Sequence, residues 1–178
     1  VLNRRVTLPP TDQEMRAPLM LQTVLGFDAA AIASAFLVSP AAMSQRLVRA
    51  KSRIRESGIP FRVPPREDLA ERLPFVLDAI YAAYAEGWSD PMGTDASARA
   101  MAGEAIWLGR LAAMLLPDEA EALGLLALML HSEARRAARR DELGEFVPLS
   151  EQDAGLWDGA MMTEAENLLR RAAAMNAI

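Results

Sequence analysis

The chain has 178 residues, no cysteine, a single histidine and a formal charge of −5 at neutral pH. These counts exclude disulfides and thiolate metal sites, leave too little histidine for a metal cluster or a His-dependent triad, and include no run of the ~20 apolar residues that a membrane span needs. Hydrophobic residues reach 52 %, carried by Leu, Ala, Met and Val rather than aromatics, which points to an all-α fold with a real core. The lack of cysteine is compatible with a cytoplasmic setting, and no cofactor is expected.

The charge is unevenly placed. Residues 1–66 hold ten Lys/Arg against four Asp/Glu, and residues 67–178 hold nine against twenty. A basic first third joined to an acidic remainder suggests two domains with different partners. The chain opens on Val1 rather than Met, the pattern of a fragment or a processed product.

In chain order, Thr11 and Glu14 have capping-box spacing before an expected helix from Asp12 to Leu25, which Pro18 should kink or delay. Met15, Leu19 and Thr23 should face inward, and Gly26 should end this helix. Asp28 should cap a second helix, Ala29 to Phe36, with Ile32, Ala33 and Phe36 buried. Leu37 and Val38 form a corner. Ser39 caps the next helix, and Pro40 takes its first position, where a missing N–H costs nothing. Met43, Leu47, Ala50 and Ile54 then recur as one inward face of about fifteen residues.

The outward side of that helix has two parts. Ser39, Ala41, Ala42, Ser44, Gln45 and Val48 lie towards its start and are small or neutral, so they can approach base edges. Ser44 and Gln45 can hydrogen-bond there, and Ala or Val can meet a thymine methyl. Arg46, Arg49, Lys51, Arg53 and Arg55 continue down the helix and can reach phosphates. A solvated basic face would explain any one of these cations. The capped short helix, the corner, the Ser-Pro start and five cations within ten residues together point to DNA binding.

Ile32-Ala33, the corner, Met43 and the run Arg46-Leu47-Val48-Arg49-Ala50-Lys51 resemble region four of bacterial RNA polymerase sigma factors, most closely the extracytoplasmic-function type. The stretches Gly58 to Pro64, Tyr84 to Trp88, Leu116 to Glu119, Glu121 to Met129 and Leu156 to Asp158 resemble the linker and helical extension of one subgroup. The resemblance implies recognition of the promoter −35 element, contact with RNA polymerase core and a role in transcription initiation. The Glu that usually precedes the Ile-Ala pair is Ala31 here, so that residue's role does not carry over. Nothing in these residues resembles region two, which binds the −10 element.

The expected organisation is a helix-turn-helix domain at 1–57, a Pro-rich linker at 58–66 and an acidic helical domain at 67–178. The last should contain a helix to about Glu86 that Pro74 either kinks or begins, one from Ser97 to Leu116 and one from Glu119 to Arg139. A short extended piece at Phe146-Val147 and a final helix from Glu151 or Asp153 follow. Met101, Ala105, Leu108, Leu111, Ala112 and Leu115 should line the first full helix, and Leu123, Leu126, Ala127, Leu130 and Ala134 the second. Short connections and small residues such as Gly109 and Gly124 suggest a tetratricopeptide-like array, though no two units align at a fixed period. A regulatory role fits this domain. Its partner is a regulatory protein, a small ligand or, through opposite charge, the basic domain of the same chain.

Other clusters have plainer readings. Asp118, Glu119 and Glu121 complement a helix dipole, His131 is a hydrogen-bonded interior residue, and Trp88 and Trp157 are core anchors. Arg135, Arg136, Arg139 and Arg140 should pair with Asp141, Glu142 or Glu145. No catalytic motif is present, so no enzyme is expected. The rival reading is a helical interaction scaffold in which the helix-turn-helix is only structural.

Overall fold

A computed structural model describes residues 14–58, 65, 69–88 and 96–175. The fold is all-α. Among the described residues it has α1 (Arg16–Thr23), α2 (Ala29–Ala35), α3 (Pro40–Glu56), α4 (Leu69–Trp88), α5 (Ala96–Leu115), α6 (Ala120–Ala134) and α7 (Gly159–Ala174), with short 3-10 turns between α6 and α7. The chain forms two compact units, Val1–Glu86 and Gly87–Ile178. The expected linker at 58–66 lies outside the described residues apart from Gly58 and Pro65.

In the first unit α2 packs on both α1 and α3. Leu21, Ile32, Met43 and Leu47 are the large side chains sealed between them, together with Ala33 and Pro18. Full burial of each large apolar side chain contributes about 1.5–3 kcal/mol. Pro18 causes no break. α1 starts at Arg16, so Pro18 falls in the first turn, whose N–H groups have no intrahelical acceptor; the expected start at Thr11 and Asp12 lies outside the described residues. Thr23, expected inside, is exposed and its hydroxyl donates back to the Leu19 carbonyl at 2.6 Å.

Ile54 is also on the wrong side of the expectation, at 56 % exposure. The reason is length. α3 spans about 25 Å and α2 only about 10 Å, at ~1.5 Å per residue. The last turns of α3 therefore extend past the helix that covers Met43, Leu47 and Ala50. Pro74 sits inside α4 on its exposed side, so it neither begins nor ends the helix and forfeits one intrahelical bond. The Arg16 guanidinium lies 4.4 Å from the centre of the Phe75 ring and ties α1 to α4.

In the second unit α6 packs against α5 and, more extensively, against α7. Leu123, Leu126, Met129 and Leu130 are fully buried. On α5 the buried stripe is Ala102, Ala105, Ile106, Gly109 and Ala113, rotated from the expected one. Leu108, Leu111 and Ala112 are half-buried, and Leu115 is 61 % exposed. Small residues mark the buried face because they let backbones approach. A Cβ on Gly109 would press on the Met129 and Leu126 side chains, and one on Gly87 would lie 2.5 Å from the backbone of Ala98 and Ala102. Gly124, also expected to allow close packing, faces open space.

α6 stops at Ala134, five residues earlier than expected, and passes into a 3-10 turn at Arg136–Ala138. The expected extended piece is one antiparallel bridge between Arg140 and Phe146. α7 starts at Gly159 rather than near Asp153. Asp158 accepts from both Ala160 and Met161 N–H and so holds two otherwise orphaned donors, whereas Asp153 holds only Gly155. Between α5 and α7, Arg110 and Glu164 form a two-pronged pair at 2.8 and 2.7 Å.

Candidate nucleic-acid interface

The first unit sets α3 at the surface through three local devices. Asp28 accepts from the Ala30 and Ala31 N–H groups at 2.9 and 2.8 Å, fixing the start of α2. Ser39 Oγ accepts from the Ala42 N–H at 3.2 Å with Pro40 next to it, fixing the start of α3. Each cap contributes about 1 kcal/mol. Between them, α2 ends in a Schellman motif. The Val38 N–H donates to the Ala33 carbonyl at 3.0 Å and the Leu37 N–H to the Ser34 carbonyl at 3.2 Å. The result is a bend of 108° across the break between α2 and α3, inside the ~90–120° range of helix-turn-helix pairs.

The motif needs its central residue in the left-handed region. That residue is Leu37, with φ 53°, the only non-glycine with positive φ among the described residues. The Cβ of an L-residue costs about 1–2 kcal/mol in this conformation. Burial does not offset that cost, because the Leu37 side chain is 94 % exposed. Reading the sequence placed Leu37 in the corner but missed this strain. The available signal was the absence of glycine where a helix turns sharply into the next.

On α3, Ser39, Ala41, Ser44, Gln45, Arg46, Val48, Arg49, Lys51 and Arg53 are exposed, and Ala42 is half-buried beneath the capped turn. The structure therefore gathers nine of the ten candidate residues on the solvent side of one helix and its cap. The side chains of Arg46, Arg49, Lys51 and Arg55 make no ion pair or hydrogen bond with a described residue. The helix has only one carboxylate, Glu56, and it accepts from the Ser52 hydroxyl at 2.8 Å. Small side chains at the front and uncompensated cations behind form a surface able to enter a groove and hold phosphates.

The second cationic cluster is built differently. Arg136 donates twice to Glu133, at 2.7 and 2.9 Å, with both groups mostly shielded from solvent. Arg135 donates to the His131 carbonyl and Arg140 to the Gly144 carbonyl. Arg139 lies 3.7 Å and Arg136 5.0 Å from the centre of the Trp88 ring. The expected pairing with Asp141, Glu142 or Glu145 does not occur. Asp141 instead accepts from the Leu143 and Glu145 N–H groups of its own turn. Trp88 and Trp157 are half-buried rather than central to the core. His131 is half-buried, its Nδ1 3.4 Å from the Met162 sulfur and its Nε2 3.9 Å from Glu166.

These features define an all-α protein with one strongly exposed cationic helix. The chain belongs to a family of unknown function, DUF6596, whose model matches residues 72–173, from α4 into α7. It is similar to an uncharacterized protein of Rhizobium meliloti (strain 1021), with 44 % identity over 165 residues. That match covers 93 % of this chain and 38 % of the relative, so the chain spans well under half of that protein's length. No solved structure matches the chain. Among the described residues no single helix is long and apolar enough to cross a membrane.

Proposed function

We propose that this chain is part of a sigma-type transcription initiation factor of the extracytoplasmic-function kind, acting in the cytoplasm with RNA polymerase core. α3 recognises the promoter −35 element, with Ser39, Ala41, Ala42, Ser44, Gln45 and Val48 facing base edges. Arg46, Arg49, Lys51 and Arg53 hold the backbone. One observation carries the reading: a helix set by a capped corner bears Arg46 and Arg49, both exposed and with no side-chain partner among the described residues. Cations left uncompensated at the surface are what an electrostatic phosphate grip requires. The resemblance to sigma region four supplies the promoter and the polymerase. In this reading the protein is not an enzyme and needs no cofactor.

The test is duplex binding by the purified chain, using a DNA enriched from a random pool, before and after Arg46→Ala with Arg49→Ala. Loss of binding with an unchanged melting temperature supports the reading, and unaltered binding sinks it. The acidic helical unit is proposed to modulate that activity by competing with phosphates for the cations. Neutralising exposed Glu142, Glu145, Glu151 and Asp153 should then tighten binding at low salt, and an unchanged affinity would remove the modulation.

A second reading, a helical interaction scaffold, is favoured by exposed Trp107, Met114 and Leu128 in the second unit. It predicts that the double arginine variant behaves as the native chain in every binding assay.

A further inference from the structure

Leu37 carries two costs at once and uses its side chain for neither capping nor packing. The Schellman hydrogen bonds come from backbone N–H groups, so any residue that tolerates positive φ would close the corner. The chain itself supplies the control. After α3, Gly58 takes the equivalent position at φ 60°, with its N–H directed to the Arg55 carbonyl. Where only the backbone matters, the sequence has glycine. Where it has leucine, at 94 % exposure, the side chain gains nothing until something covers it.

The surroundings say what covers it. Leu37 stands two residues before the Ser39 cap of α3. Its neighbours Phe36 and Val38 are half-buried, so Leu37 is the one fully exposed apolar side chain of the corner between α2 and α3. Protein anchors sit in contiguous apolar patches that exclude water. A single aliphatic group beside small polar residues and a row of cations matches a nucleic-acid surface instead. There, sugar carbons and thymine methyls alternate with phosphates.

We propose that Leu37 is a DNA-contacting residue, its side chain packing on a deoxyribose or thymine methyl beside the start of α3. The inference rests on the DNA-binding reading above and adds a residue outside the helix. Leu37 also positions α3, because the contact seats the corner and so sets how deeply Ser44 and Gln45 reach.

The experiment uses the full chain and a duplex enriched from a random pool by the native protein. Affinity is read by fluorescence anisotropy across a salt series, and stability by thermal melting. Leu37→Gly and Leu37→Asn both tolerate positive φ. The expected result is an unchanged or higher melting temperature and roughly tenfold weaker binding. The salt slope should stay the same, since no cation is lost. Native affinity in both variants overturns the inference, while the DNA-binding reading still stands or falls on Arg46 and Arg49. Weaker binding that tracks a lower melting temperature also overturns it, because that is a structural role. Unchanged duplex affinity with reduced capture of RNA polymerase core assigns Leu37 to a protein contact and overturns it as well. A native chain that enriches no duplex removes the DNA-binding reading itself, and the inference with it.

Discussion

The chain has two arginine-rich segments, and they differ in what the arginines do. On α3 the cations project from a helix whose opposite side is sealed by Met43, Leu47 and Ala50, and four of the five have no side-chain partner among the described residues. At the end of α6, the cations stack on Trp88, chelate Glu133 or close turns on backbone carbonyls. In the proposed function the first set serves phosphates outside the unit. The second is consumed in holding its own unit together. Density of positive charge is similar in both, so the distinction lies in compensation.

The contrast breaks first at Gly87, beside Trp88. A branched Cβ in Gly87→Val must displace the backbone of Ala98 and Ala102, and the second unit should lose about 3 kcal/mol or more. Chemical denaturation would show it, and an unshifted midpoint would mean the close approach is not as drawn. Next comes the double change Arg46→Ala with Arg49→Ala. Affinity for duplex should fall roughly a hundredfold and the salt slope by about two, with no change in stability.

Arg136→Ala should do the opposite, costing about 1–2 kcal/mol by stranding Glu133 and uncovering Trp88 while duplex affinity stays put. If DNA binding fell instead, the two segments would not be distinct. Ser39→Ala removes one cap and should destabilise the first unit by about 1 kcal/mol, read in the melting curve.

The smallest effect concerns Arg110 and Glu164. Hydrogen bonds from Arg110, with its charge adding, hold Glu164 below the usual carboxylate range against the opposing effect of burial. Arg110 is raised by the same bonds. The folded pKa of Glu164 is depressed. Its contribution is therefore complete above the unfolded value of about 4.3 and is lost as pH falls through the folded one. Both groups are well exposed, so solvent screening limits the pair to about 0.5 kcal/mol. Urea midpoints of native and Glu164→Gln protein should differ slightly at pH 7 and converge in acid.

The sequence by itself determined the all-α character, through composition and a 3.6-residue apolar period. It also set the edges of α2 and α3, because Asp28, Ser39 and Pro40 act within a few residues of themselves. The exposure of Arg46, Arg49, Lys51 and Arg53 was equally legible, since cations left off an apolar stripe must face water.

Tertiary structure decided what local pattern cannot encode. Ile54 lost its cover because α2 is shorter than α3. The buried side of α5 follows Ala102, Ala105 and Gly109 rather than the larger leucines, since close packing depends on the neighbouring helix. Asp158 took the cap expected nearer Asp153. Only the folded corner shows that Leu37 is both strained and uncovered, because backbone hand and side-chain exposure are fixed when α2 and α3 lock together.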